Sequence, residues 1–271
     1  MKDLKDNVVV ITGAASGIGR ELALLLTSKG AHVALSDVNE DGLKETVELI
    51  NNKEVKVKLN KLNVANEEAY FSYADEVVEY FGHVDRVINN AGRSVADSFL
   101  DGSIEDFRMI MDINFWGTYY GNKAFLPYLL ERPDATIVNV SSVNALIPFP
   151  NQSSYNTSKY AICGLSETLR QELRGTPVKV MTVFPGGVRT NIVKNGKFVK
   201  GPKEHMSQQE SADYFEKVAM TSAPRAAKLI VRGIRKSNKR LRIGPDAYIF
   251  DYFKRLFPRF AVSAIGRAAR I

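Results

Sequence analysis

A run of apolar and β-branched residues, Asn7-Val8-Val9-Val10-Ile11-Thr12, passes directly into the turn Gly13-Ala14-Ala15-Ser16-Gly17-Ile18-Gly19. Beyond the turn, Leu22, Leu25 and Leu26 share one helical stripe across Glu21 to Lys29, and Gly30 stops it. Strand, glycine turn and helix in that order restrict the fold more than any other stretch. Glycines let a backbone approach a pyrophosphate closely, and a helix N-terminus supplies amide donors and positive partial charge. The spacing is Gly-x-x-x-Gly-x-Gly, not the commoner Gly-x-Gly-x-x-Gly. A tight turn needs glycine for its own sake, so the letters alone are weak. Their place behind the first strand favours a dinucleotide site.

The alternation continues. Apolar runs at Ala31–Asp37, Val55–Leu62, Val84–Asn89, Ala135–Val140, Val178–Phe184 and Arg240–Ile243 read as strands. Between them, Glu40–Asn51, Glu67–Phe81, Ser103–Glu131, Ser154–Arg174 and Pro224–Ser237 read as helices, and Val188–Ala223 as loop with a short helix. About seven strands alternating with helices imply an α/β fold. It is a Rossmann-like doubly wound parallel sheet with helices on both faces. Ligands of such sheets bind beyond the carboxyl ends of the strands. Gly13 to Gly19, Asp37, Asn89 to Gly92, Ser142 and Pro185 to Thr190 all fall there. With no internal repeat or linker, one domain is expected over 1–245, followed by a basic, aromatic extension over 246–271.

Ser142 precedes Tyr155 by thirteen residues, and Lys159 follows it by four. On a helix opening at Ser154, Tyr155 and Lys159 share a face. A cation held there is expected to lower the Tyr pKa and fit it for acid–base work near neutral pH. A surface Tyr beside a solvated Lys is the plain alternative. Asp37 ends the second strand, eighteen residues after Gly19. An acid there accepts hydrogen bonds from ribose hydroxyls and repels a 2′-phosphate; it also suits an N-cap for the next helix. Neither Ser16 nor Val38 is basic, so NAD is favoured, and the nearby Arg20 keeps NADP open.

The lone cysteine, Cys163, excludes an internal disulfide, and His32, His83 and His205 lack ligand spacing, so no metal is expected. Met1 to Asp6 is charged and lacks a signal-peptide core, and no apolar run approaches the ~18 residues of a spanning helix. A cytoplasmic protein is the expectation. Charge is uneven: Pro224 to Ile271 carries thirteen Lys and Arg against Asp246 and Asp251, a net +11 within a chain of +7.

Over about residues 4 to 245 the chain resembles the short-chain dehydrogenase/reductase family in its small single-domain form. The resemblance rests on Thr12 to Gly19, Asn89-Asn90-Ala91-Gly92, Asn114, Ser142, Tyr155 with Lys159, and Pro185-Gly186-Gly187-Val188-Arg189-Thr190. It implies Tyr155 as general acid/base, Ser142 orienting the substrate oxygen, and Lys159 tuning Tyr155 and binding the nicotinamide ribose. It gives Asn114 a water that relays protons to Lys159. Asn90, Ala91 and Gly92 would line the adenosine ribose, and Val188 and Thr190 the carboxamide and pyrophosphate side. Ser141, next to Ser142, is the residue that could be mistaken for it. Where the family usually has Asp-Val after the third strand, this chain has Asn63-Val64, which keeps an acceptor for adenine. The expected activity is hydride transfer between NAD, or NADP, and a small alcohol or carbonyl substrate, with homodimers or homotetramers through the helices of Asn114 and Tyr155. A non-catalytic NAD-binding redox sensor is the alternative. A sugar-nucleotide epimerase shares Tyr-x-x-x-Lys but needs a larger substrate domain.

Leu146, Ile147, Pro148 and Phe149 follow Ser142 as an apolar wall, favouring an apolar substrate, unless they pack into the core. Val188 to Ala223 reads as a lid. In Asp246 to Phe257, Tyr248, Ile249, Tyr252, Phe253 and Leu256 form one stripe, ended by Pro258. That stripe is expected to cover the domain or a partner subunit, or else to meet an anionic membrane surface. No nucleic-acid recognition motif accompanies the charge.

Overall fold

In the computed structural model, which describes residues 3–190, 192, 196–198 and 207–268, strands and helices alternate almost throughout. The first half contains β1 (Val8–Thr12), α1 (Gly17–Thr27), β2 (His32–Asp37), α2 (Glu40–Glu48), β3 (Val57–Lys61), α3 (Glu67–Phe81), β4 (Arg86–Asn89), β5 (Val95–Ala96), α4 (Ile104–Ile110) and α5 (Gly117–Leu130). Then come β6 (Ala135–Val140), α6 (Ser153–Glu172), β7 (Val178–Pro185), β8 (Val188–Arg189), β9 (Lys197–Phe198), α7 (Gln208–Val218), β10 (Thr221–Ser222), α8 (Ala223–Arg235), β11 (Arg240–Ile243), α9 (Pro245–Leu256) and α10 (Pro258–Ala268). Seven strands form one sheet in the order β11-β7-β6-β4-β1-β2-β3, every pair parallel. The chain winds outward from β1 through β2 and β3, then returns to β4 on the other side of β1. That reversal opens a crevice at the carboxyl ends of β1 and β4.

Strand side chains alternate between the two faces. Val9 and Ile11 of β1 pack with Leu22 and Leu26 of α1 and Ile230 and Ile234 of α8. Val8 and Val10 pack with Tyr70 and Val77 of α3 and Phe125 and Leu129 of α5. Burial on both sides explains why β1 reads as a near-continuous apolar run and why β6 is mostly apolar.

Four local departures from the sequence reading have physical causes. The first helix starts at Gly17, not Glu21, because the end of the glycine turn is itself its first turn. The stretch 103–131 is two helices joined by a π-helical segment, Met111–Trp116, which widens the backbone around Asn114. Pro258 ends one helix and opens the next, where its fixed φ is favourable. Finally, the apolar stripe of α9 faces outward: Tyr248, Ile249, Tyr252 and Leu256 are exposed, and Ala247, Phe250 and Asp251 face the domain. Polar ties fix that rotation. Buried Asp251 accepts from Arg242 Nη1 at 2.8 Å, and Asp246 Oδ2 accepts from Gly187 N at 2.6 Å. Phe250 stands edge-on to Phe149, 5.5 Å between centroids.

Candidate active site

The glycine turn is built without room for side chains. Gly13 and Gly17 have φ of 68° and 55°, the left-handed region that favours glycine. A Cβ on Gly19 would lie 2.1 Å from Gly13 O, and one on Gly13 would lie 2.8 Å from Ala91 Cα. Thr12 Oγ1 accepts from Asn90 N at 3.1 Å and Ala91 N at 3.0 Å. Asn90 Nδ2 donates to Thr12 O at 3.0 Å and Gly13 O at 3.2 Å. A Cβ on Gly17 would stand 3.2 Å from Thr190 Cγ2, so the segment after β7 folds over the turn. Ser16 and Ile18 are half-buried beside it.

Asp37 accepts from Ala15 N at 3.1 Å and Asn39 N at 3.0 Å. The N-cap of α2 is Asn39, which accepts from Gly42 N, so Asp37 does not serve as that cap. Arg20 turns away from the crevice, bonding Ala15 O at 2.6 Å, Thr46 Oγ1 at 3.0 Å and Glu45 at 2.8 Å. Asn63 is exposed and accepts from Ala65 N at 3.1 Å, while Val64 is buried against Gly117.

At the other end of the crevice Tyr155 and Lys159 are both buried on α6, with Lys159 Nζ 5.5 Å from the Tyr155 ring centroid. Lys159 Nζ donates to Val140 O at 3.1 Å. The expected lowering of the Tyr155 pKa is not met by the protein's own groups. Burial pushes Tyr155 up to about 12, the Ser142 hydrogen bond pulling it back. Burial brings Lys159 down to about 8. Both groups have left water, which penalises both charged forms. Ser141 Oγ donates to Lys159 O at 2.8 Å and is occupied by the helix backbone. Ser142 is therefore the serine that meets Tyr155.

Asn114 is fully buried. Its Oδ1 accepts from Arg93 N at 2.8 Å, and its Nδ2 donates to Arg93 O and Ser158 Oγ, each at 3.0 Å. A Cβ on Gly92 would lie 3.2 Å from Asn114 Oδ1 and 3.4 Å from Lys159 Nζ, so Gly92 brings these groups to one point. Val188 is buried, and Gly186 leaves the space filled by the Asp246 carboxylate, 2.1 Å from where its Cβ would stand. Pro185 closes β7 above it. Leu146 and Ile147 are buried and Phe149 packs on Phe250, so the apolar wall after Ser142 belongs to the core. The stretch Val188 to Ala223 is clasped to the segment after β4 by the β5–β9 pair and to α4 by Lys197 on Asp106 at 2.7 Å; its residues 191, 193–195 and 199–206 lie outside the described ones.

The partners of Asn89, and Asn144, escaped the sequence reading. Asn89 Nδ2 donates to Asn122 and Asn139, both at 2.9 Å, beneath the site. Asn139, a polar residue inside the run Ala135–Val140, was the signal for it. Asn144 donates to Gln152 at 2.6 Å and Asn156 at 2.8 Å and binds Ser142 Oγ; nothing in the sequence marks it.

A family model described as short chain dehydrogenase matches residues 7–197. The Mycobacterium tuberculosis protein SadH is 42% identical over 259 residues, spanning 94% of this chain and 92% of its own. Dehydrogenase/reductase SDR family member 7B of Xenopus laevis is 32% identical over 276 residues, spanning 98% and 83%. A crystal structure of a short chain dehydrogenase/reductase from Burkholderia phymatum in complex with NAD aligns with a TM-score of 0.88 at 26% identity, covering 96% of each chain.

Proposed function

The chain belongs to the short-chain dehydrogenase/reductase family, and on that premise we propose that it transfers a hydride between NAD(H) and a secondary alcohol or ketone, or an alcohol and aldehyde. The observation carrying the proposal is the convergence of Tyr155, Lys159, Ser142 and Asn114 at one end of a crevice whose other end is a turn with no room for a Cβ at Gly13 or Gly19.

The residues suit a dinucleotide. Gly13, Ser16, Gly17, Ile18 and Gly19 would hold the pyrophosphate, with Thr190 folded over them. Asp37, Asn63, Val64, Asn90, Ala91 and Gly92 would hold the adenosine side, and Pro185, Gly186 and Val188 the nicotinamide side. A bound nicotinamide supplies the hydride acceptor or donor. Tyr155 Oη carries the proton that leaves or joins the substrate oxygen, and Ser142 Oγ hydrogen-bonds that oxygen. Lys159, charged at neutral pH, favours the phenolate, and Asn114 would hold the water that links it to solvent.

NAD is favoured over NADP because Asp37, held at the end of β2 against the glycine turn, would repel a 2′-phosphate, and Arg20 is engaged elsewhere. The relative from Burkholderia phymatum is complexed with NAD. The preference for an apolar substrate rests on Phe99 and Leu100, exposed in the loop between β5 and α4. Pairing of copies through α5 and α6 is supported by the ladder Phe115, Trp116, Tyr119 and Tyr120, with Trp116 exposed.

A panel of alcohols and ketones, followed by reduced-nicotinamide absorbance with NAD(H) and NADP(H) side by side, tests the reading. Turnover faster with NAD(H) is expected. Tight NADH binding with no turnover across the panel would contradict it.

A further inference from the structure

We propose that the outer face of the α9–α10 hairpin docks on an anionic lipid bilayer. The face is apolar and open: Leu256 is 70% exposed, Ile249 63%, Phe260 56% and Phe257 55%. On α9, Tyr248, Ile249, Tyr252 and Leu256 lie within one stripe of the helix, Phe257 follows at its end, and Phe260 lies beyond the bend at Pro258. The two helices are joined by Phe253, whose ring lies 6.1 Å from both Phe257 and Phe260. Burial of Ala247 and Asp251 fixes the other side of α9 on the domain, so the stripe cannot turn inward.

Basic groups frame this face. The Arg242 guanidinium lies over the rings of Tyr248 and Tyr252, 4.4 and 5.1 Å from their centroids. Arg255 flanks the stripe, Arg259 follows the bend, and Arg267 lies 5.7 Å from the Phe260 centroid. The hairpin itself carries Lys254, Arg255, Arg259 and Arg267 against Asp246 and Asp251, and it closes a segment from Pro224 onward of net +11. Charge decides between occupants. Two copies meeting through this face would set like-charged tails against each other. An anionic leaflet attracts the basic rim while its acyl boundary accepts Ile249, Leu256, Phe257 and Phe260. Among the described residues no helix is long and apolar enough to cross a membrane, so the contact is peripheral.

The test is flotation of the full chain with vesicles of phosphatidylcholine alone and with about one-third phosphatidylglycerol, at low and high salt, with solution mass measured by light scattering. The wild type is expected to float with the anionic vesicles only, and salt to release part of it. Ile249→Ser with Leu256→Ser and Phe260→Ser, and separately Arg259→Ala with Arg267→Ala, are each expected to weaken binding at least tenfold, with melting temperature and solution mass unchanged. Amide exchange on the wild type, which needs no variant to fold, is expected to slow in α9 and α10 when anionic vesicles are added. No flotation of the wild type, binding that ignores both variants, or a smaller solution mass in the apolar variant would overturn the proposal. The last outcome would assign the face to a second copy.

Discussion

Lys159 is a cation kept where water would otherwise solvate it, and its pKa of about 8 against an ordinary 10.5 measures the conflict. The folded state disfavours its protonated form. Folding is therefore penalised below pH 8, by about 3 kcal/mol, and the penalty fades as pH rises towards 10.5. Lys159→Met is accordingly expected to stabilise the protein at pH 7, less the about 1 kcal/mol of the lost bond to Val140 O. Urea melts at pH 7 and pH 10 check this: the gain should shrink at the higher pH, and a variant less stable at pH 7 would contradict it. The Tyr155–Lys159 pair was legible because its spacing is that of one helical turn, and Ser142 was picked out by its interval to Tyr155 and the family resemblance. Their protonation was not, because burial arises from packing by segments distant in sequence.

At the scale of elements, the glycine turn and the clasp make separable claims. Gly19→Ala places a Cβ 2.1 Å from Gly13 O, so backbone must move. NADH affinity is expected to fall at least tenfold and stability by about 2 kcal/mol, measured by fluorescence titration and thermal melts. Asp106 accepts two hydrogen bonds from Lys197, which hold its pKa below the usual carboxylate value. Asp106→Asn should loosen the stretch Val188 to Ala223 and raise substrate KM several-fold while leaving NADH affinity alone. A matching loss in both would show that the clasp shapes the whole crevice. The long elements were readable from periodicity, α3 and β6 to the residue. The π-helical segment around Asn114 and the two-residue strands β5 and β9 were not, since each depends on a partner far along the chain. The stripe on α9 was legible as a stripe, but its direction was set by Asp246 and Asp251, which periodicity treats as solvent-facing.

For the whole molecule, the winding reversal beside β1 would, under the proposed function, let one crevice serve two tasks, cofactor grip at the glycine turn and proton transfer at α6. Cofactor preference is a property of the first task. Asp37→Ala is expected to raise NADPH use relative to NADH at least tenfold, read as a ratio of kcat/KM values, and an unchanged ratio would remove Asp37 from that role. The fold was legible in the alternation of apolar runs. The outward charge and apolarity of the C-terminal hairpin needed the structure, because composition places +11 in the tail without saying which way it faces. The central claim is that Tyr155 moves the proton while the rest of the crevice holds the cofactor. Single-turnover hydride transfer by Tyr155→Phe, with NADH affinity measured on the same sample, tests it most directly. The account predicts a loss of about a thousandfold in the transfer rate with NADH affinity within twofold of wild type. A variant that transfers hydride at the wild-type rate would contradict it.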